Sequence, residues 1–176
     1  LILFTTVIIS CSREKTRNSD VQFSGSGLQY ASGFLIENFN GYKILHVKDP
    51  WQGSEGIQFK YVMAEHEAEI PDSLERYTRI NVPVRRLICM STTHVAMIRE
   101  LDRLETIVGI SGRDYVSDPD LNTLIEKGEV GDVGADQALN YELIISLHPE
   151  VLVAYGITSE ISGMMNRLRD LGIPVI

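Results

Sequence analysis

Two cysteines, one tryptophan and an excess of acid over base set the first limits on this 176-residue chain. Two cysteines cannot build the disulfide framework on which small secreted domains depend. Sixteen Lys and Arg against 24 Asp and Glu give a formal charge of −8, the wrong sign for a phosphate backbone. The basic clusters amount to Arg85-Arg86 and the Arg13–Arg17 region, so no nucleic-acid partner is expected. The opening apolar run, Leu1 to Ile9, is too short to cross a bilayer as a helix. Also missing are G-x-G-x-x-G after a strand, a Walker loop, H-E-x-x-H and C-x-x-C. "GISG" at Gly109 is not a nucleophile elbow, because Arg113 stands where that motif needs Gly.

What is present divides into four parts. "LILFTTVIISCS" has the apolar character of a secretory h-region and ends in Ile8-Ile9-Ser10-Cys11. An aliphatic residue, a small residue and then Cys resemble the lipobox of bacterial lipoproteins, in which the Cys is lipidated. Residues 1–11 are therefore expected to be a signal remnant with Cys11 as the lipid anchor. Polar residues 12–21 follow as a tether. A truncated buried strand ending in Cys is the alternative. With Cys11 assigned to lipid, Cys89 reads as a small core residue.

Residues 22–78 look β-rich. Asn40-Gly41 separates two short apolar runs as a hairpin turn would. "DPWQG" signals a second turn and "IQFKYVMA" a further strand. Trp51 reads as a packing anchor, and His46 and His66 as structural or surface residues.

From residue 79 onward the pattern alternates. Strands are expected at Leu87–Met90, Thr106–Ile110, near Val130–Val133 and within "EVLVAYG", with another beginning at "IPVI". Helices fall between them. One carries Asp118 as N-cap, Pro119 at its first position and Gly128 past its end; another is capped by Asn140. The last helix is expected from Thr158 to Leu171, with Met164-Met165 in the core. Short connections of this kind imply right-handed βαβ units, an α/β class with a Rossmann-like parallel sheet flanked by helices. The chain stops inside the last strand, which reads as a fragment.

Ligands of open α/β sheets bind beyond the carboxyl ends of the strands. Here those ends supply Ser91, Thr92, Thr93 and His94; Arg113, Asp114 and Tyr115; Gly134 and Asp136; Tyr155 and Gly156. The three hydroxyl residues can cap a helix, line a ligand site, or do both. His94 can ligate a metal but has no matching partner nearby in sequence. Arg113 can pair with a ligand anion or with Asp114 or Asp118.

In order and spacing, "RRLICMSTTHVAMIRELDRLETIVGIS", "EVGDVG", "NYELIISLHPEVLVAYG" and "LGIPVI" resemble the substrate-binding lipoproteins of bacterial ABC importers. The resembled class has two lobes joined by a rigid helix and takes up iron–siderophore complexes, haem or vitamin B12. The resemblance implies that residues 79–176 form an N-terminal lobe, truncated before the linking helix and second lobe. It implies a small metal-chelate ligand, ABC permease subunits as partners, membrane attachment by the lipid alone, no cofactor, and no bond made or broken. Ser91, Thr92, Thr93, His94, Arg113, Tyr115, Gly134, Tyr155 and Gly156 would line one wall of the ligand cleft. His94 and Met97 depart from the small and acidic residues usual at the start of the first helix. The β-rich segment exceeds the family's usual short N-terminus. Two other readings stay open: a metal-dependent enzyme using His94, Asp114 or Asp136, and a surface lipoprotein whose β extension contacts a partner protein.

Overall fold

The computed structural model describes residues 30–51, 53–135, 138–155 and 160–176, except for the side chains of 160–162. The lipobox with Cys11, the tether, Asp136, Gly156 and the start of the helix expected at Thr158 lie outside these residues.

The first sheet contains β1 (Phe34–Asn38), β2 (Tyr42–Lys48), β3 (Gln58–Ala64) and β4 (Thr78–Asn81), in that spatial order. β1 and β2 form the expected hairpin. Phe39 N donates to Tyr42 O at 2.9 Å, and Gly41 takes the left-handed corner at φ 87°. β3 pairs antiparallel with β2, but β4 runs parallel to β3 and is reached by a crossover over residues 65–77. β4 was not foreseen in the sequence, and it crosses the division expected at residue 78. The Arg79 side chain holds the crossover by donating to the carbonyls of Glu65, His66 and Ala68.

The second sheet is parallel throughout, as expected for the α/β class. Its spatial order is β7 (Gly131–Asp132), β6 (Ile107–Ile110), β5 (Leu87–Cys89) and β8 (Val151–Val153). Val175 adds a parallel bridge to Leu152 beyond β8. β5 and β6 are buried on both faces, which accounts for their near-continuous apolar runs. Cys89 is fully buried, and burial pushes its thiol up to about 12.

Local chemistry sets three of the four α-helices among the described residues. In α1 (Thr92–Glu100) the N-cap is Ser91, whose Oγ accepts from Thr93 N; Thr92 and Thr93 are helical residues and do not cap. In α2 (Pro119–Glu126) the Asp118 carboxylate accepts from Asp120 N and Leu121 N, with Pro at the first position. In α3 (Tyr141–Ser146) Asn140 Oδ1 accepts from Leu143 N at 3.0 Å. α4 (Glu160–Asp170) buries Met165 and Leu168, with Met164 packed partly against the same cluster. Among the described residues, no helix is long and apolar enough to cross a membrane.

Alternation along the parallel strands separates two cores. Ile88, Met90, Val108 and Leu152 face Ile144 of α3 and Met165 and Leu168 of α4. On the other face, Leu87, Cys89, Ile107 and Val151 meet Val95 of α1 and Leu121 and Ile125 of α2. Leu45, Tyr61 and Ile80 of the first sheet join that same cluster. The β-rich segment thus supplies part of the layer over the parallel sheet. Each of these large apolar side chains contributes roughly 1.5–3 kcal/mol by its burial.

Candidate functional site

The order β7-β6-β5-β8 creates one place where the winding reverses. From β5 the chain steps through β6 to β7, then returns to β8 on the other side of β5. The helices that follow β5 and β8 leave on opposite faces, so the carboxyl ends of these two strands diverge and open a crevice. Met90 N donates to Val153 O at 3.0 Å, the last rung before the chains separate. Just beyond it stand Ser91 and His94 on one side and Tyr155 on the other.

His94 and Tyr155 meet edge to face, with ring centroids 6.4 Å apart at 61°. His94 is half-buried, and its Nδ1 is shielded from solvent without a well-aligned hydrogen-bond partner among the described residues. Burial holds the imidazole pKa below its ordinary value, against a smaller opposing pull from the Val153 backbone. A neutral imidazole at neutral pH offers an acceptor as well as a donor. Thr92 and Thr93 are exposed, and Thr92 lines a groove of about 340 Å³ between α1 and the start of α2, with Arg99, Glu100 and Asp118 on its walls.

The neighbouring strand ends continue the rim. After β6, Ser111 N donates to Cys89 O, and Gly112 at φ 77° turns the chain into a 3-10 turn, Arg113–Tyr115. The Tyr115 ring lies against Gly112 but is 81% exposed. Arg113 is exposed and makes no ion pair with a described residue. Its expected competitor Asp118 is engaged by Arg99 at 3.1 Å and by the cap of α2. After β7, Gly134 adopts φ 82°, and a Cβ there would collide with the Ala138 carbonyl oxygen. Gly134 therefore shapes the rim through its backbone.

The sequence-derived residues accordingly fall in two groups. Ser91, His94 and Tyr155 gather at the β5–β8 crevice; Arg113, Tyr115 and Gly134 occupy the adjacent strand ends. Among the described residues, no group of three or more His, Cys, Asp or Glu side chains is placed to hold a metal ion. Sequence reasoning missed the part played by the first sheet. Trp51 and Phe59, 6.1 Å apart between ring centroids, stand beside Tyr155 and Ala154 across a second, apolar crevice. The one available signal was Trp51 itself, a large aromatic in a turn.

No family model matches the chain. It is similar to two uncharacterized lipoproteins of Methanocaldococcus jannaschii, each 29% identical, over 127 and 138 residues that cover 69% and 70% of this chain. The chain spans about a third, 32%, of the length of these curated relatives. Among solved structures, it is similar to a chain from the crystal structure of an ABC-type Fe3+-hydroxamate transport system from Saccharomonospora viridis. That likeness has a TM-score of 0.35 and 24% identity, and covers 53% of this chain and 33% of the other.

Proposed function

We propose that the protein is the solute-binding component of an ABC importer that captures a metal chelate, a ferric siderophore, haem or corrinoid, outside the membrane. In this reading Cys11 carries the lipid anchor, and a second lobe beyond residue 176 closes over the ligand. Acidic pairs such as Glu100 and Asp102, or Glu126 and Glu129, dock the permease.

The observation that carries the reading is the reversal of winding between β5 and β8. It brings the Ser91-capped start of α1, neutral His94 and Tyr155 to one crevice, flanked by the exposed Arg113 cation, which has no ion pair among the described residues. Hydroxyls, free helix N–H groups and a guanidinium recognise an anionic, oxygen-rich surface without chemistry at the ligand. The order of sequence motifs from Arg85 to Ile176 supports the same assignment, and the relatives named as lipoproteins accord with the anchor.

The test is titration of the full-length protein, with Cys11 replaced by Ala, against ferric siderophores, haem and cobalamin. Saturable quenching by one class, weakened about tenfold or more by Arg113→Ala, is the expected result. Flat titrations with all three would overturn the cargo assignment.

A further inference from the structure

We propose that the crevice between the first sheet and the β8 end of the parallel sheet is a binding site for a single apolar ring of about benzene size. The ring can belong to a free small molecule or to one arm of a larger ligand. This goes beyond the importer reading and does not depend on it.

The crevice has a volume of about 140 Å³ and is open to solvent. Val47, Trp51 and Phe59 form one wall; Ala154, Tyr155 and Met165 form the other. A closed apolar cavity of about 150 Å³ takes up benzene, so a crevice of this volume has room for one ring.

The walls are held in place. The Trp51 backbone is fixed by Ser54, whose buried Oγ accepts from Trp51 N at 3.0 Å and donates to Trp51 O at 2.5 Å. The Arg169 guanidinium lies 4.8 Å from the Phe59 ring centroid and supports that ring. Tyr61, which also lines the crevice, has its hydroxyl engaged by the Val175 carbonyl and offers the cavity its ring. A ring entering here gains aromatic contact with Trp51, Phe59 and Tyr155.

Trp51 is the one tryptophan in these 176 residues and lines the crevice, so its emission reports on occupancy. The experiment titrates the full-length protein and its Trp51→Phe variant with p-cresol at pH 7, exciting at the red edge so that the difference between the two isolates the Trp51 emission, and follows Tm in parallel. The expected result is a saturable change in Trp51 emission with a rise in Tm. Ala154→Leu and, from the opposite wall, Val47→Phe fill the space and weaken p-cresol at least tenfold. A flat wild-type titration overturns the proposal, as does unchanged affinity in whichever filled variant keeps its fold. Because no metal chelate is present, failure of the importer reading leaves this result untouched, and the converse holds.

Discussion

The Tyr61 hydroxyl donates to the Val175 backbone carbonyl at 2.8 Å, across 114 residues of sequence, and joins the first sheet to the residue that bridges to β8. Burial raises the Tyr61 pKa above its ordinary value of 10, opposed in part by nearby Arg169. Tyr61→Phe keeps the ring but leaves a buried carbonyl without its donor, so the expected loss is about 1–3 kcal/mol in denaturant unfolding. The raised pKa adds a pH signature. Unfolded Tyr61 ionises near pH 10 while the folded residue stays neutral, so its contribution is complete below pH 10 and lost as pH rises through the folded value. The wild-type protein should lose more stability than Tyr61→Phe in that alkaline window; parallel curves would remove the hydroxyl from the account.

His94 gives the opposite signature. Its pKa lies below 6.5 because burial disfavours the imidazolium. The unfolded chain takes up a proton near pH 6.5 and the folded residue only at lower pH. The His94 contribution to stability is therefore present above 6.5 and lost as pH falls through the folded value. NMR titration of the imidazole should show a midpoint below 6.5 in the wild type, moving toward 6.5 in Tyr155→Ala as solvent enters. A wild-type midpoint at or above 6.5 contradicts the buried neutral ring.

Much of this architecture was legible because it is local. Ser91, Asp118 and Asn140 each accept backbone N–H groups two or three residues ahead, so their cap roles show in a short window. The Asn40-Gly41 turn is local in the same sense. β4 was hidden because "TRIN" carries one apolar residue and pairs in parallel with a strand beyond a 65–77 crossover. The packing of the first sheet was hidden for a different reason. Ile44 and Val62 are buried on one face while Leu45 and Tyr61 are buried on the other, so alternation does not mark the face that meets the parallel sheet. At the site, strand ends were readable from the alternating pattern. The fate of Arg113 was not, because the competition for Asp118 is decided by Arg99, 19 residues from it in sequence.

Two glycines separate backbone demand from mere tolerance. Gly134→Ala must hold a left-handed φ of 82° and push a Cβ into the Ala138 carbonyl oxygen. The expected cost is about 2–4 kcal/mol, from the left-handed penalty together with overpacking. Gly163 lies exposed within α4, and a Cβ there meets nothing within 4 Å. Gly163→Ala should stabilise by about 0.5–1 kcal/mol through helix propensity. Thermal unfolding of the two variants should shift in opposite directions. Equal behaviour would mean that the turn after β7 is not held as described.

Arg86 tests whether stability and binding can be separated across the length of the sheet. Its Nε and Nη2 donate to the Leu147 carbonyl at 2.9 and 2.6 Å, and Nε also donates to that of His148, so the side chain closes the carboxyl end of α3. Its backbone N–H is held in turn by the Glu150 carboxylate. All of these contacts gather before β5 begins, at the opposite end of the strand from Ser91 and His94. Arg86→Ala removes charge-assisted bonds that are exposed to solvent, for an expected loss of about 1–2 kcal/mol. The position of the residue predicts an unchanged His94 titration midpoint and unchanged p-cresol affinity while the variant is folded. A shift in either would show that the two ends of β5 are coupled, since none of these Arg86 contacts reaches the crevices.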